Sequence, residues 1–174
     1  MNLMSIKNQN DLQALVSRQF IFPSVHTSSA SAIWSERNGK PENLSLSDLR
    51  ERMESTPTLL CHAPSIARKI KKDHVVGYDI LELFAFVYPT TFTLPTLHGV
   101  ATALELKTNY INSPLCLLNV IAKKLISEII LDIDKVDDAH AIAKNMSTAG
   151  WLWGPIILEV LETTYEINKS NGLA

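Results

Sequence analysis

The chain has 174 residues, 46% of them hydrophobic, and a formal net charge of -2. A chain of this length buries about 70% of its unfolded surface as one domain, so it needs no disulfide or metal ion to fold. The near-neutral charge excludes a general attraction to nucleic acid, and any such binding would require a local basic patch.

Two cysteines, Cys61 and Cys116, lie in apolar runs, as is typical of reduced thiols that act as small hydrophobic side chains. We therefore predict no disulfide. Residues 1–16 lack the continuous apolar segment of a secretory signal. The most apolar stretch, 115–131, contains lysines and a glutamate, which argues against a membrane span. These patterns predict a soluble protein of the cytoplasm.

Short strands are predicted in the N-terminal third of the chain. Residues 19–25 and 31–35 have the pattern of two strands, and residues 39–43 that of a loop. A capping-box pattern predicts a polar helix over 45–55, begun by its serine. The apolar segment 58–61 is too short for a helix and is typical of a buried strand in a parallel sheet.

The rest of the chain is predicted to be mostly helical. A basic helix covers 65–72. Asp79, followed three residues later by Glu82, matches an N-cap and its reciprocal acceptor, and the helix that it begins is apolar on nearly all sides. We therefore expect this helix to be central. Further helices are predicted behind Pro95 and behind Pro114. After an acidic linker over 132–138, a short helix is predicted up to about residue 146, and a last helix over 156–167.

These elements predict an α/β fold, in which a small sheet of about four strands from the N-terminal third is covered by helices. We expect residues 1–18 to form an N-terminal arm, residues 19–168 a single globular domain, and residues 169–174 a disordered tail. The order of the strands is not readable from the pattern.

Signatures of nucleotide and metal sites are missing from the sequence. It has neither G-x-x-x-x-G-K-[ST] nor G-x-G-x-x-G, so we predict no cofactor. Cys61 and His62 are adjacent, which on a strand points them to opposite faces and argues against a catalytic pair. No C-x-x-C occurs, and no metal site is predicted because the histidines are scattered: His26, His62, His74, His98 and His140.

Four basic residues, Arg68, Lys69, Lys71 and Lys72, lie within about two helical turns. A solvated helix face accounts for such a cluster. The alternative is a nucleic-acid-binding patch that contacts phosphates, because the segment directly follows a predicted strand end, where α/β sheets bind ligands.

Asp79 and Glu82 are the remaining candidates for catalysis. Two-metal hydrolysis of a phosphodiester needs several carboxylates that converge on ions about 4 Å apart. The capping pattern accounts for both side chains without a metal ion. On this interpretation Asp79→Ala costs about 1 kcal/mol, as the loss of one helix cap.

The segments CHAPSIARKI, YDILELFAFVYP, FTLPTLHGVATALEL and GWLWGPIILEVL occur in this order along the chain. Together they resemble the N-terminal module that precedes the motor in a group of bacterial DinG-like ATP-dependent DNA helicases. The resemblance covers residues 20–161 and is densest over 60–106. It implies an accessory domain of a helicase that acts in DNA repair, with the motor itself absent from this chain.

The same stretch is similar, more distantly, to DnaQ-like 3′–5′ exonuclease domains, which have a ribonuclease H-like fold. In those domains Asp-Thr-Leu-Glu-Leu opens a helix, and here Asp79 and Glu82 occupy the acidic positions of that motif. A His-Asn-Ala motif of the family is replaced here by His-Ala-Pro at 62–64.

Other positions of this chain depart from the exonuclease pattern. Ala67 stands where the family has a metal-binding Asp, and the expected first strand, 32–36, offers Glu36 alone. Residues 112–119 do not supply the His-x4-Asp element. One of four metal-binding carboxylates is thus matched, and the resemblance implies a degenerate ribonuclease H-like core.

The resemblance therefore implies a non-catalytic accessory and interaction domain, whose partners are the helicase motor and single-stranded DNA. Two alternatives remain. One is a weak metal-dependent exonuclease-like domain that uses Asp79 and Glu82, and the other is a structural remnant that binds neither DNA nor the motor. No membrane contact is expected.

Overall fold

A computed structural model of the chain describes residues 22–36, 39–54, 56–107, 113–131 and 136–170. The strands are β1 (Ser24–Thr27), β2 (Ser31–Ser35), β3 (Glu42–Ser45), β4 (Thr58–Leu60) and β5 (Gly77–Asp79). The helices are α1 (Leu46–Arg52), α2 (Ala63–Lys69), α3 (Ile80–Val87), α4 (Leu97–Ala103), α5 (Pro114–Leu131), α6 (Val136–Thr148) and α7 (Gly154–Ser170). The predicted arm, 1–18, lies outside the described residues, whereas α7 extends past the start of the predicted tail at 169.

The strands form one sheet in the order β3-β2-β1-β4-β5. β1 pairs antiparallel with β2, and β2 antiparallel with β3. The pairs β1–β4 and β4–β5 are parallel. The predicted α/β class is therefore confirmed, and the mixed sheet is one strand larger than the sequence predicts.

The sequence pattern misses two strands. β3 overlaps the predicted loop over 39–43, because its side chains are polar and exposed apart from the half-buried Leu44. β5 has three residues and runs directly into α3. Strands this short, or without alternation of apolar and polar residues, give no period-2 signal.

Local hydrogen bonds fix the turn between β1 and β2 and the start of α1. The N–H of Ser28 donates to the carbonyl of Ser31 (2.9 Å), and Ser28 Oγ accepts the N–H of Ser31 (3.1 Å). At α1, Ser45 Oγ accepts the N–H of Asp48 (3.1 Å), which confirms the predicted N-cap. The helix ends at Arg52, earlier than the predicted 55.

One hydrophobic cluster joins the sheet to α1 and α2. Trp34 of β2 is fully buried in it, and its indole N–H donates to Oε1 of Glu36 (3.0 Å). Burial of Ile66 in the same cluster fixes which side of α2 faces the sheet. The buried residues of the cluster are Val25, Ala32, Trp34, Leu49, Met53, Leu60, Ile66 and Ile70.

Helix α3 is buried along one side. Ile80 and Leu83 have no exposed surface, and Phe84 is 2% exposed. Glu82 and Ala85 are exposed, so the helix is less enclosed than its nearly all-apolar composition predicts. Within the described ranges, no helix combines the length and the apolar character needed to cross a bilayer.

The described residues divide into two compact units, one within 21–122 and the other from residue 123 onward. The first contains the sheet and α1 to α4. In the second, α6 and α7 form a helical hairpin, whose turn uses Gly150 at φ 94°. Gly154 permits a close approach there, because an added Cβ would lie 2.4 Å from Cβ of Ser147. Trp153, in the same unit, is fully buried.

Candidate functional site

The carboxylate of Asp79 lies at the end of β5 and is 3% exposed. Its register partner is Leu60, the last residue of β4, so its side chain reaches the backbone that follows β4. Oδ1 accepts the N–H of His62 (2.9 Å), and Oδ2 accepts the N–H of Ala63 (2.6 Å). Oδ1 also accepts the N–H of Leu81 (3.0 Å). The carboxylate thus binds backbone N–H groups from two separate segments.

One carboxylate therefore stabilises the starts of two helices. It caps α3 through Leu81, as the sequence predicts. It also provides an acceptor at the start of α2, where the N-cap residue His62 makes no side-chain cap bond. Backbone amides at a helix start favour negative charge. The Asp79 side chain thus links the end of β5 to the backbone that follows β4. Glu82, by contrast, is exposed on α3.

The central strand of the sheet carries no carboxylate. It is β1, with the sequence SVHT, whereas the segment expected as the first strand, 32–36, belongs largely to β2. Glu36 follows β2, and its Oε1 lies 3.7 Å from the guanidinium of Arg52. Ala67 is buried in α2. In the part of the chain that the structure describes, no three side chains of His, Cys, Asp or Glu are placed to hold a metal ion.

A pocket of about 130 Å³ opens at the carboxyl ends of β1 and β4. Pro95, Thr96 and Leu97, at the start of α4, form one side of it. This edge is where α/β sheets bind ligands, so the pocket is the candidate functional site. Its other polar and titratable lining residues come from β1, from the segment after β4 and from α2: His26, Thr27, Cys61, His62, Ser65 and Lys69.

Lys69 brings a positive charge to the pocket. Its Nζ donates to the carbonyl oxygen (3.0 Å) and to Oγ1 (3.0 Å) of Thr27, so the ammonium group connects α2 to the end of β1. Burial and, next, the charge of Lys69 lower the pKa of His26 below its ordinary value. The His26 imidazole is therefore held in its neutral form at neutral pH.

The backbone turns sharply where β4 meets α2. His62 has φ 68° and ψ 72°, a left-handed conformation that is uncommon for residues other than glycine. The bond from its N–H to Asp79 holds it there. Because β4 ends at Leu60, Cys61 and His62 both line the pocket and do not point to opposite faces, as an extended strand would place them.

The thiol of Cys61 is neutral. Burial and, next, the negative charge of Asp79 raise the pKa of Cys61 to about 12. Thiolates, not thiols, are the nucleophilic form of cysteine. Cys61 is therefore a poor nucleophile, and this property replaces the predicted opposite facing of the side chains as the argument against a catalytic Cys61–His62 pair.

The four basic residues of the predicted nucleic-acid patch have different surroundings. Lys69 lies in the pocket, and Lys72 forms an ion pair with Glu54 at 3.7 Å. Arg68 and Lys71 are exposed at the C-terminal end of α2. The patch therefore presents Arg68 and Lys71 to solvent, whereas the other lysines have partners within the protein.

Sequence reasoning misses the part that β1 plays in the pocket. His26 and Thr27 belong to no motif. The signal that could have found them is polar residues at the end of a strand that pairs in parallel with another. That pairing joins Ser24 to Leu59, and no local periodicity reveals it.

An exposed apolar segment continues into the lining of the pocket. Phe92 is 84% exposed and Leu94 60% exposed, both in the connection between α3 and α4. The next residues, Pro95 and Thr96, line the pocket. The connection thus presents apolar side chains to solvent beside a polar cavity.

Comparisons with protein-family models, with curated proteins and with solved structures find no match to this chain. Its function is therefore inferred from its own residues.

Proposed function

We propose that the chain is a non-catalytic accessory domain that binds a DinG-like helicase motor in the cytoplasm and contacts single-stranded DNA. The observation that carries the non-catalytic part is the position of Asp79. Both oxygens of this carboxylate accept backbone N–H groups, and the side chain is 3% exposed. In a two-metal hydrolytic site, the carboxylate oxygens bind the metal ions instead.

The sheet is compatible with the ribonuclease H-like resemblance. The sheet has three antiparallel strands, continued by two parallel strands beside β1, and it agrees with the resemblance at the level of the α/β class. The central strand carries His26 in place of an acidic residue, and Ala67 takes the position of a metal-binding Asp. These features support a degenerate exonuclease-like core with a structural role.

Incubation of the full chain with labelled single-stranded DNA and Mn²⁺ tests the absence of nuclease activity. We expect no cleavage. Glu82→Gln is the informative variant, because Glu82 is exposed and its replacement leaves the Asp79 bonds in place. Glu159→Gln, at another exposed glutamate on a helix, is the matched control. Cleavage that Glu82→Gln abolishes and Glu159→Gln retains would overturn the proposal in favour of a metal-dependent exonuclease.

Titration of the chain into a DinG-like helicase from the same genome tests the motor partner. Isothermal titration calorimetry measures the complex, and a strand-displacement assay measures unwinding. We expect a stoichiometric complex and a changed unwinding rate. If neither is observed, the structural remnant becomes the better interpretation.

Contact with single-stranded DNA is assigned to Arg68 and Lys71, the exposed members of the basic cluster. Each phosphate contact contributes about -0.7 to the slope of log affinity against log salt, so two contacts predict a slope of about -1.4. The double variant Arg68→Gln, Lys71→Asn should abolish this dependence, with Asn chosen because it tolerates the left-handed backbone of Lys71. Lys40→Gln, at an exposed lysine elsewhere, is the control. Equal salt slopes in the double variant and the control would return the cluster to a solvated helix face.

A further inference from the structure

The described lining of the pocket at the carboxyl ends of β1 and β4 contains one cation and no carboxylate, and the Asp79 carboxylate next to it is bound to the His62 and Ala63 amides. The cation is Lys69. An ammonium group has three N–H donors, and Thr27 receives two hydrogen bonds from Lys69. Among the described residues, no carboxylate lies within ion-pair distance of Lys69.

Among the described residues, the half-buried ammonium group of Lys69 has no carboxylate partner that would compensate for its lost hydration. Binding of an anion in the pocket provides such a partner. Within the same residues Lys69 donates to Thr27 alone, which leaves one N–H to donate to the anion.

His62 brings a second donor to the same pocket. Its left-handed backbone is a conformation that persists only where surrounding groups impose it, and such residues concentrate at ligand sites. Here Asp79 imposes it through the N–H of His62. Asp79 is therefore a positioning residue, whose bond holds His62 in the lining of the pocket.

The size and the donor groups of the pocket select a small oxyanion. Its volume of about 130 Å³ is well below the roughly 300–1,000 Å³ of pockets that hold drug-sized ligands. The hydroxyl of Ser65 adds a further donor to the ammonium and imidazole groups. We propose that Lys69, His62 and Ser65 form a binding site for one phosphate group at the carboxyl edge of the sheet.

A titration of the full, ¹⁵N-labelled chain with inorganic phosphate tests this site. Amide signals of His62, Ser65 and Lys69 should shift saturably, with a dissociation constant on the order of 1 mM. Sodium chloride at matched ionic strength is the control and should produce no saturable shift. Phosphate shifts that do not saturate up to about 50 mM, or that sodium chloride reproduces, would refute the site.

Substitutions distinguish a specific phosphate site from non-specific attraction of phosphate to basic residues. Lys69→Gln should weaken phosphate binding about tenfold, because it removes a hydrogen bond to a charged group. Lys40→Gln, which changes an exposed basic residue outside the pocket, should leave binding unchanged. Ser65→Ala keeps every charge and should weaken binding about threefold, which provides a test if Lys69→Gln does not fold. Equal losses in Lys69→Gln and Lys40→Gln would contradict the proposal, as would unchanged affinity in Ser65→Ala.

The phosphate group has two sources, a free ion or a nucleic-acid strand. Oligodeoxythymidine with a 5′-phosphate and the same strand with a 5′-hydroxyl distinguish them. If the 5′-phosphorylated strand alone binds, and its binding depends on Lys69, the site recognises the terminal phosphate of a strand. If both strands bind equally, again depending on Lys69, the site recognises an internal phosphate. Binding of inorganic phosphate with neither strand identifies a free ion. The site does not require a helicase motor, so failure of the motor titration and failure of phosphate binding are separate outcomes.

Discussion

The two ends of helix α2 are stabilised by different kinds of partner. At the N-terminal end, the N–H groups of His62 and Ala63 bind Asp79, which lies 17 and 16 residues away in the chain. At the C-terminal end, Lys71 takes a left-handed conformation with φ 56°, and the N–H of Lys72 donates to the carbonyl of Ala67 (3.0 Å). One end thus depends on a distant strand, and the other on residues adjacent in sequence.

Both ends carry charges that suit the helix dipole. The carboxylate of Asp79 meets the amides of the first turn, and Arg68 and Lys69 lie in the last turn. The charged side chains at the two ends differ in burial. Asp79 is 3% exposed, whereas Arg68 and Lys71 are exposed. Changes at the N-terminal end should therefore cost far more than changes at the C-terminal end.

Asp79→Ala should have the largest effect on stability. It removes the cap of α3 and leaves the N–H groups of His62 and Ala63 without their acceptor, so the free energy of unfolding should fall by about 4 kcal/mol. This loss is larger than the value of about 1 kcal/mol that the sequence predicts for one helix cap, because the sequence indicates the cap of α3 but not the bonds of Asp79 to the start of α2. Urea denaturation followed by circular dichroism measures the difference.

Asp73→Ala is the matched control for Asp79→Ala. Asp73 is an exposed aspartate between α2 and β5, and its loss should change the stability by no more than about 0.5 kcal/mol. Asp79→Asn, which keeps one oxygen, should lie between the two. Similar denaturation midpoints for Asp79→Ala and Asp73→Ala would show that the shared carboxylate contributes little.

The rate at which Cys61 is alkylated probes the N-terminal end of α2 in the native fold. A rise in the pKa of Cys61 from 9.0 to about 12 reduces the thiolate fraction about a thousandfold. Cys116, which is exposed, should react with iodoacetamide first. In a Cys116→Ser variant, native Cys61 should be labelled far more slowly than in urea. Comparable labelling rates of Cys61 and Cys116 in the native chain would contradict the buried environment.

Gly77→Ala should disturb the pairing that brings Asp79 to α2. An added Cβ would lie 2.6 Å from the carbonyl oxygen of Thr58 and 2.7 Å from Cδ2 of Leu60. Relief of this overlap shifts β5 away from β4 and should cost about 1–3 kcal/mol. Gly39→Ala, whose added Cβ would be no closer than 3.2 Å to Glu36, is the milder control in the same denaturation assay. Equal stability of the two variants would show that β5 accommodates the methyl group.

Lys71→Gly should have the smallest effect, and one of opposite sign. Glycine adopts a left-handed backbone without the steric cost that Lys71 bears at φ 56°, so the chain should gain up to about 1 kcal/mol. Glu105→Gly, at φ 53° after α4, repeats the test at another helix end. A loss of stability in both variants would mean that flexibility gained by the unfolded chain outweighs the relief of strain.

The sequence predicts what depends on neighbours along the chain. The cap at Ser45, the start of α3 at Asp79 and the burial of Phe84 all follow from spacings of a few residues. It does not predict that Asp79 also serves α2, because that contact follows from the register of β5 against β4, in which Leu60 faces Asp79. Local propensity and periodicity carry no information about which strands pair or in which register.

The candidate site likewise combines features that the sequence predicts with features that depend on strand pairing. Lys69 is visible in the sequence as part of a basic cluster, but its contact with Thr27 spans 42 residues and decides that it faces the pocket. His26 gives no signal at all, because its position depends on the parallel pairing of β1 with β4. A site assembled at the ends of parallel strands therefore becomes readable when strand order is known.

A carboxylate shared by two helix starts also ties local opening events together. The amides of His62, Ala63 and Leu81 all donate to Asp79, so the protection of each against hydrogen exchange depends on the same side chain. Loosening of β5 removes the acceptor of α2, and loosening of the β4–α2 turn removes partners from Asp79. We therefore expect the parallel half of the sheet to open as one cooperative unit, in which neither strand–helix pair melts alone.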